Sequence, residues 1–160
     1  MALNKTYDDF FAEALKEAKE GYAEGGIPIG SVLVHKNRVI GRGHNRRLQN
    51  GNPILHAEID ALQNAGRQPL SVYLDCTLYT TLSPCSMCSG AILLYQIPRV
   101  VIGENRNFKG AEDLLKSKGV DITLLDNPEC FSLLKAFITR NPELWFEDIG
   151  TEPPQTGKKR

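Results

Sequence analysis

The sequence predicts an α/β domain in which one sheet, largely parallel after an opening hairpin, carries helices on both faces. Three observations predict it: an amphipathic helix followed at once by two short strands, a regular alternation of apolar runs with helical segments in the second half, and no composition break that would mark a second domain. Such alternation needs crossover connections, and these lay helices over the sheet. At 160 residues a single core buries about 70% of the surface that the unfolded chain exposes, so stability does not explain the cysteines.

The elements follow in order. Tyr7, Phe10, Phe11, Ala14, Leu15, Ala18 and Tyr22 recur at helical steps, with Thr6 as N-cap and Asp9 in the capping-box position. Gly25-Gly26 ends that helix, and residues 29–34 read as a buried strand turning at Lys36-Asn37 into a second strand over 39–43. A polar loop over 46–53 leads to a helix over 56–65 that Gly66 caps. Residues 76–81 have strand composition, and Ser83-Pro84 supplies an N-cap and an N1 proline for a helix running to Tyr95. Then come a strand over 99–103, a helix over 111–118, a strand over 120–125, a helix over 128–139 and a last element over 141–149 holding Trp145 and Phe146. Residues 1–150 thus form one domain without internal repeat, and 151–160, with two prolines and no apolar anchor, are expected to be a disordered tail.

Composition excludes several classes. Nineteen Lys and Arg balance nineteen Asp and Glu, whereas a nucleic-acid binder needs a basic face to displace counterions from phosphates. Apolar runs stay far short of the roughly 18 residues of a membrane helix, and the first twenty residues are acidic and amphipathic, unlike a signal peptide. The expectation is a cytoplasmic protein with no membrane and no nucleic-acid partner. In that setting Cys76, Cys85, Cys88 and Cys130 imply reduced thiols, a redox motif or a metal site before disulfides.

Chemistry concentrates in two short segments. His56-Ala57-Glu58 and Pro84-Cys85-Ser86-Met87-Cys88 offer one imidazole and two thiolates, the donor types zinc prefers. Three donors rather than four leave a coordination position open, as in catalytic zinc sites. Cys85 and Cys88 stand three apart on one helical face, at a helix start whose partial positive charge favours thiolates. Glu58, two residues beyond His56, points elsewhere than the imidazole and is placed to act as a general base. Cys-x-x-Cys by itself fits a redox pair as well as a metal site; the His-x-Glu segment at a second helix start favours the metal. Cys76 on a strand and Cys130 on a helix read as buried core. His35 reads as an exposed turn residue, and His44 as a local hydrogen-bonder in preference to a fourth ligand. The glycines match no phosphate-cradling pattern.

His-x-Glu followed by Pro-Cys-x-x-Cys is the known signature of zinc nucleobase deaminases. From Tyr22 to Gly150 the chain resembles the cytidine deaminase superfamily, and more closely the fungal-type cytosine deaminases. GGIPIG at 25–30, GRGHN at 41–45, LYTTLSPCSMCSGAI at 78–92, GENRNFKG at 103–110 and WFEDIG at 145–150 carry the resemblance beyond the two zinc segments. It implies a three-layer α/β/α fold with a central mixed sheet of about five strands. It also implies one zinc per subunit on His56, Cys85 and Cys88, proton shuttling by Glu58, a homodimer and a place in pyrimidine salvage. By similarity, Asn45 and the Ala57 N–H meet the O2 side of the pyrimidine, Asp148 lies near the exocyclic amine, and Phe108 and Trp145 wall the ring. Read from composition alone, the two aromatics would be core and Asp148 a surface carboxylate. Ala57 departs from the family, whose fungal members typically have Gly there. The implied reaction converts cytosine to uracil and ammonia, Glu58 moving one proton from water to ring N3 and then delivering another to the leaving amine. The C-terminal helix is expected to close over the base. The rival readings are deamination of guanine, isocytosine or another small heterocycle, transfer-RNA adenosine deamination, and a non-catalytic zinc scaffold. Lys158-Lys159-Arg160 is the one terminal basic run that bears on nucleic acid.

Overall fold

The computed structural model describes residues 6–155. Its elements are α1 (Tyr7–Ala23), β1 (Gly30–His35), β2 (Arg38–His44), α2 (Arg47–Asn50), α3 (Ala57–Ala65), α4 (Leu70–Tyr73) and β3 (Cys76–Leu82). They continue with α5 (Ser86–Leu94), β4 (Arg99–Glu104), α6 (Glu112–Ser117), β5 (Asp121–Leu124), α7 (Pro128–Arg140) and α8 (Pro142–Asp148). The strands form one mixed sheet in the order β2-β1-β3-β4-β5. β1 runs antiparallel to both β2 and β3, while β3, β4 and β5 are parallel.

Strand alternation divides the core between the two faces. Leu33, Leu78, Val100 and Ile102 point to one side, against Ala65 of α3, Ile92 of α5 and Leu115 of α6. Val32, Val34, Tyr79 and Val101 point to the other, against Phe10, Phe11 and Ala14 of α1 and Cys130 of α7. The result is the three-layer arrangement that the alternating pattern predicts. A third cluster, with Ile27, Leu82, Leu134, Phe137 and Trp145, packs α7 and α8 near the ends of the strands that carry the functional segments.

Local chemistry sets the element ends. Thr6 and Asp9 make the reciprocal capping box of α1. Lys36 and Asn37 both take left-handed φ values, 46° and 60°, as a two-residue hairpin turn requires. At Gly43 a Cβ would come within 2.6 Å of the Ala61 amide and of Asp60 Oδ2. The missing side chain lets α3 lie directly on the β2 backbone, which positions the start of α3.

Several expectations shift. Helix α5 begins at Ser86, with Cys85 as N-cap, not at the Ser83 cap read from the sequence. The Ser83 amide still bonds Glu104 O (3.0 Å) alongside the strands, and its hydroxyl donates to Glu112 (2.7 Å) and accepts from the Gly110 amide (2.9 Å). With that hydroxyl engaged, the chain stays extended for two further residues. The four-residue α2 and α4 escaped because one helical turn leaves no periodic signal. His35 is half-buried at the end of β1, 3.8 Å from Asp75, because the tight turn follows it. Residues 151–155 are exposed and without regular structure; the rest of the expected tail, including Lys158-Lys159-Arg160, lies outside the described residues. Among the described residues, no helix is long and apolar enough to cross a membrane.

Candidate active site

Two helix starts meet at the site. His56 is the N-cap of α3 and Cys85 the N-cap of α5, both in extended backbone conformation, and Cys88 is the third residue of α5. His56 Nδ1 lies 3.5 Å from Cys85 Sγ, and one donor atom from each of His56, Cys85 and Cys88 falls within 4.8 Å of the others. Because α5 directly follows β3, this cluster stands at the carboxyl end of the parallel strands, the usual place for a site in an α/β sheet.

Glu58, the second residue of α3, is buried beside the cluster and accepts a hydrogen bond from Thr80 Oγ1 of β3 (3.0 Å). Burial, then the nearby Cys85 charge, raises its pKa above the ordinary carboxylate value, against the pull of His56. A carboxyl displaced in this direction holds a proton more readily than an ordinary one, which suits a group that must take and return one.

The cysteines divide sharply. A hydrogen bond from Cys88 holds the Cys85 thiol down to about 4 against the effect of burial, with a further hydrogen bond to His56. The same bond, with burial and the Glu58 charge, drives Cys88 strongly upward. Burial works to lower the His56 pKa, yet its bond to Cys85 and the charges of Asp148 and Glu58 push it up to about 9. These side chains thus compete for protons as tightly spaced donors do. Burial pushes Cys76 up to about 11 and Cys130 up to about 12, and both are packed in the core, as inert thiols would be.

A small, partly open cavity adjoins the cluster, and His56, Ala57, Glu58 and Cys85 form one wall. Asn45, Phe108 and Asp148 form another, completed by Ile29, Leu82, Ser83 and Ile149, which are not among the residues the sequence singles out for the site. Ile149 adjoins Asp148 in the terminal motif, and that adjacency was the signal available for it. Asn45 is fully buried after β2; its Nδ2 donates to Asp148 Oδ1 (2.8 Å), and its Oδ1 accepts from the Arg47 amide (3.1 Å). Asp148 Oδ1 also faces His56 Nε2 at 3.5 Å and Arg47 Nη1 at 3.6 Å. Burial raises the Asp148 pKa, opposed by the His56 charge and the Asn45 bond.

Phe108 lies on the loop after β4. That loop is anchored by fully buried Glu104, which accepts from the Arg106 and Asn107 amides at 2.7 and 3.0 Å. Trp145 is buried behind Phe108 in an edge-on contact with centroids 6.3 Å apart and is not among the residues lining the cavity. His44 turns its ring toward Glu17 and Glu24, away from the cysteines.

The donor set fits zinc. Two sulfurs and one imidazole nitrogen converge, and no described His, Cys, Asp or Glu completes the group as a fourth donor, as expected for a zinc site with an open position. A divalent cation also offsets the hydrogen bond and burial that drive Cys88 upward, since a coordinating thiol is held deprotonated. The second ring nitrogen of His56 faces a carboxylate, the common outer partner of a metal-bound imidazole.

Several known proteins are similar to this chain. The family model for the cytidine and deoxycytidylate deaminase zinc-binding region matches residues 4–104. A cytosine deaminase of Candida albicans is 54% identical over 148 residues, which is 91% of this chain and 99% of that protein. A tRNA-specific adenosine deaminase of Streptococcus pyogenes is 46% identical over 107 residues, 66% of this chain and 67% of its own. Among solved structures, a tRNA:A34 deaminase superposes with a TM-score of 0.69 at 30% identity, over 79% of this chain and 99% of that one. A guanine deaminase from Nitrosomonas europaea gives a TM-score of 0.67 at 22% identity, over 84% and 85%, and so shares the fold.

The chain belongs to the zinc-binding cytidine and deoxycytidylate deaminase family. It is a zinc-dependent hydrolase that acts on carbon–nitrogen bonds of nucleobases.

Proposed function

We propose that this enzyme deaminates the free base cytosine to uracil and ammonia, with His56, Cys85 and Cys88 holding the zinc. The observation that carries this reading is the single cavity in which the metal-donor cluster and Glu58 face a buried Asn45–Asp148 pair joined at 2.8 Å. The extent of the likeness to the Candida albicans cytosine deaminase, 99% of that protein, supports the choice of base.

Zinc bound there supplies the Lewis acidity that makes water nucleophilic near neutral pH. Glu58, held by Thr80, takes one proton from the attacking water and delivers it to ring N3, then takes the second from the hydroxyl newly bonded to C4 and gives it to the departing amine, so that the two protons of water end on N3 and on ammonia. Asn45 offers its amide to the O2 and N1 side of the ring, with the Ala57 N–H beside it. Asp148 accepts from the exocyclic amine, and its bond to Asn45 fixes both groups in one orientation. Phe108, backed by Trp145, covers the ring, and α8, which brings Asp148 and Ile149, excludes water from it.

A homodimer fits the exposed Met87, Leu94 and Tyr95 on and after α5, and light scattering at micromolar concentration reads its mass. Free thiols at all four cysteines suit a reducing, cytoplasmic setting, where the reaction serves pyrimidine salvage. Incubation of the zinc-loaded enzyme with cytosine is expected to yield uracil and ammonia one to one. Absence of uracil under those conditions overturns the choice of base.

A further inference from the structure

The residues on either side of Asn45 are tied down by the same two carboxylate oxygens. Asp60 Oδ2 accepts from the backbone N–H of His44 (3.0 Å) and from Nε of Arg46 (2.9 Å). Glu24 Oε2 lies 3.1 Å from His44 Nε2 and 3.5 Å from Arg46 Nη1. A further contact, 2.7 Å from His44 Nδ1 to Glu17 Oε2, fixes the other edge of the imidazole. Glu17 lies in α1, Glu24 caps its C-terminus, and Asp60 lies in α3, four residues beyond His56. The peptide bearing Asn45 is therefore anchored to the helix that carries Glu58.

The ring itself has little freedom. His44 is 1% exposed, and a Cβ on Gly21 of α1 would stand 2.9 Å from its Cδ2. Both ring nitrogens face carboxylate oxygens. A neutral imidazole has one N–H and would turn a lone pair on one of those carboxylates; the imidazolium donates to both. Glu20 adds a third carboxylate to this group, and the guanidinium of Arg46 is the opposing charge. None of His44, Glu17 and Glu24 lines the cavity, so any effect on the base passes through Asn45.

We propose that His44 is a positioning residue for base binding: its imidazolium, bridged between Glu17 and Glu24, clamps the Asn45 peptide to α1, beside the α3 anchor that Asp60 supplies, and loss of the proton loosens that hold. The inference rests on the assignment of Asn45 to the base. The hydrogen bond to Glu17, acting against burial, raises the His44 pKa, and the bond from His44 lowers that of Glu24. A raised imidazole pKa gives a clamp that is complete below the ordinary value of about 6.5. The clamp persists above that value and is lost as pH rises through the folded-state pKa.

The test is the pH dependence of KM and kcat for cytosine, alongside the imidazole NMR titration of His44. In the wild type, KM is expected to rise through one ionisation above about pH 6.5, at the midpoint of the His44 resonance. Glu24→Gln, at a half-exposed position that tolerates change, is expected to move both midpoints to lower pH. His44→Gln is expected to raise KM about tenfold at every pH, to abolish that ionisation, and to leave kcat within about threefold. A His44 resonance titrating at or below the ordinary value, or a KM profile that Glu24→Gln leaves in place, overturns the proposal. Asn45→Ala separates the two layers. If it raises KM while the Glu24 and His44 variants do not, the pocket assignment stands and the clamp falls; if it leaves KM unchanged, the pocket assignment falls and takes the clamp with it.

Discussion

The two walls of the cavity are built in different ways. The metal wall comes from two short stretches, His56 to Glu58 and Cys85 to Cys88, each at a helix start resting on the sheet. The base wall is assembled from the end of β2, the loop after β4 and α8, and its central bond joins residues 103 apart in sequence. Helix geometry fixes the spacing and direction of the donors in the first wall. In the second, hydrogen bonds and ion pairs such as Asn45–Asp148 and Arg47–Asp148 do so. Under the proposed function, the metal wall supplies the chemistry and the base wall is where one substrate is chosen over another.

The largest expected effect comes from the metal wall itself: chelation abolishes turnover, and zinc added back restores it, as read by ammonia release and metal content. Glu58→Ala is next, keeping zinc while losing about 10²–10⁴-fold in kcat, the range of one general acid–base group. Near-normal turnover in that variant would remove Glu58 from proton transfer. On the base wall, Asp148→Ala is expected to keep zinc and lower kcat/KM for cytosine by about 10–100-fold, the worth of a hydrogen-bonded charged group. Loss of zinc in that variant would instead make Asp148 a support of His56, which it faces at 3.5 Å. The smallest effect belongs to Glu147→Gln, which weakens a 3.5 Å contact between the exposed Glu147 carboxylate and Arg47. Such pairs contribute about 0–1 kcal/mol, and a melting temperature that barely moves, with KM unchanged, would place the anchoring of α8 in Asp148 and the apolar cluster.

This contrast also explains what the sequence disclosed. The capping box at Thr6 and Asp9, the Lys36-Asn37 turn and the alternating strand faces follow from local spacing, and the structure has them where the spacing predicts. The Cys85–Cys88 spacing is local too, although Cys85 caps α5 where the sequence places it in the first turn; the meeting of that pair with His56, 29 residues from Cys85, belongs to the fold. The start of α5 was misplaced because Ser83, a good N-cap by type, is claimed by Glu112, 29 residues away. Phe108, Asp148 and Asn45 carry no local sign of a pocket, and only resemblance to known enzymes singled them out. Thr80, which positions Glu58, reads from the sequence as one more strand threonine. The carboxylates flanking Asn45 were invisible for the same reason, since they converge from α1 and α3 only in the folded chain.

The most direct test of the functional reading is kcat/KM of the zinc-loaded enzyme on cytosine, cytidine, guanine, adenine, isocytosine and transfer RNA measured side by side. Turnover of cytosine at least about a hundredfold above every other substrate, the discrimination that one or two buried hydrogen bonds provide, is the expected result. Preference for guanine or for adenosine in transfer RNA, with cytosine untouched, would keep the metal wall and contradict the assignment of the base wall.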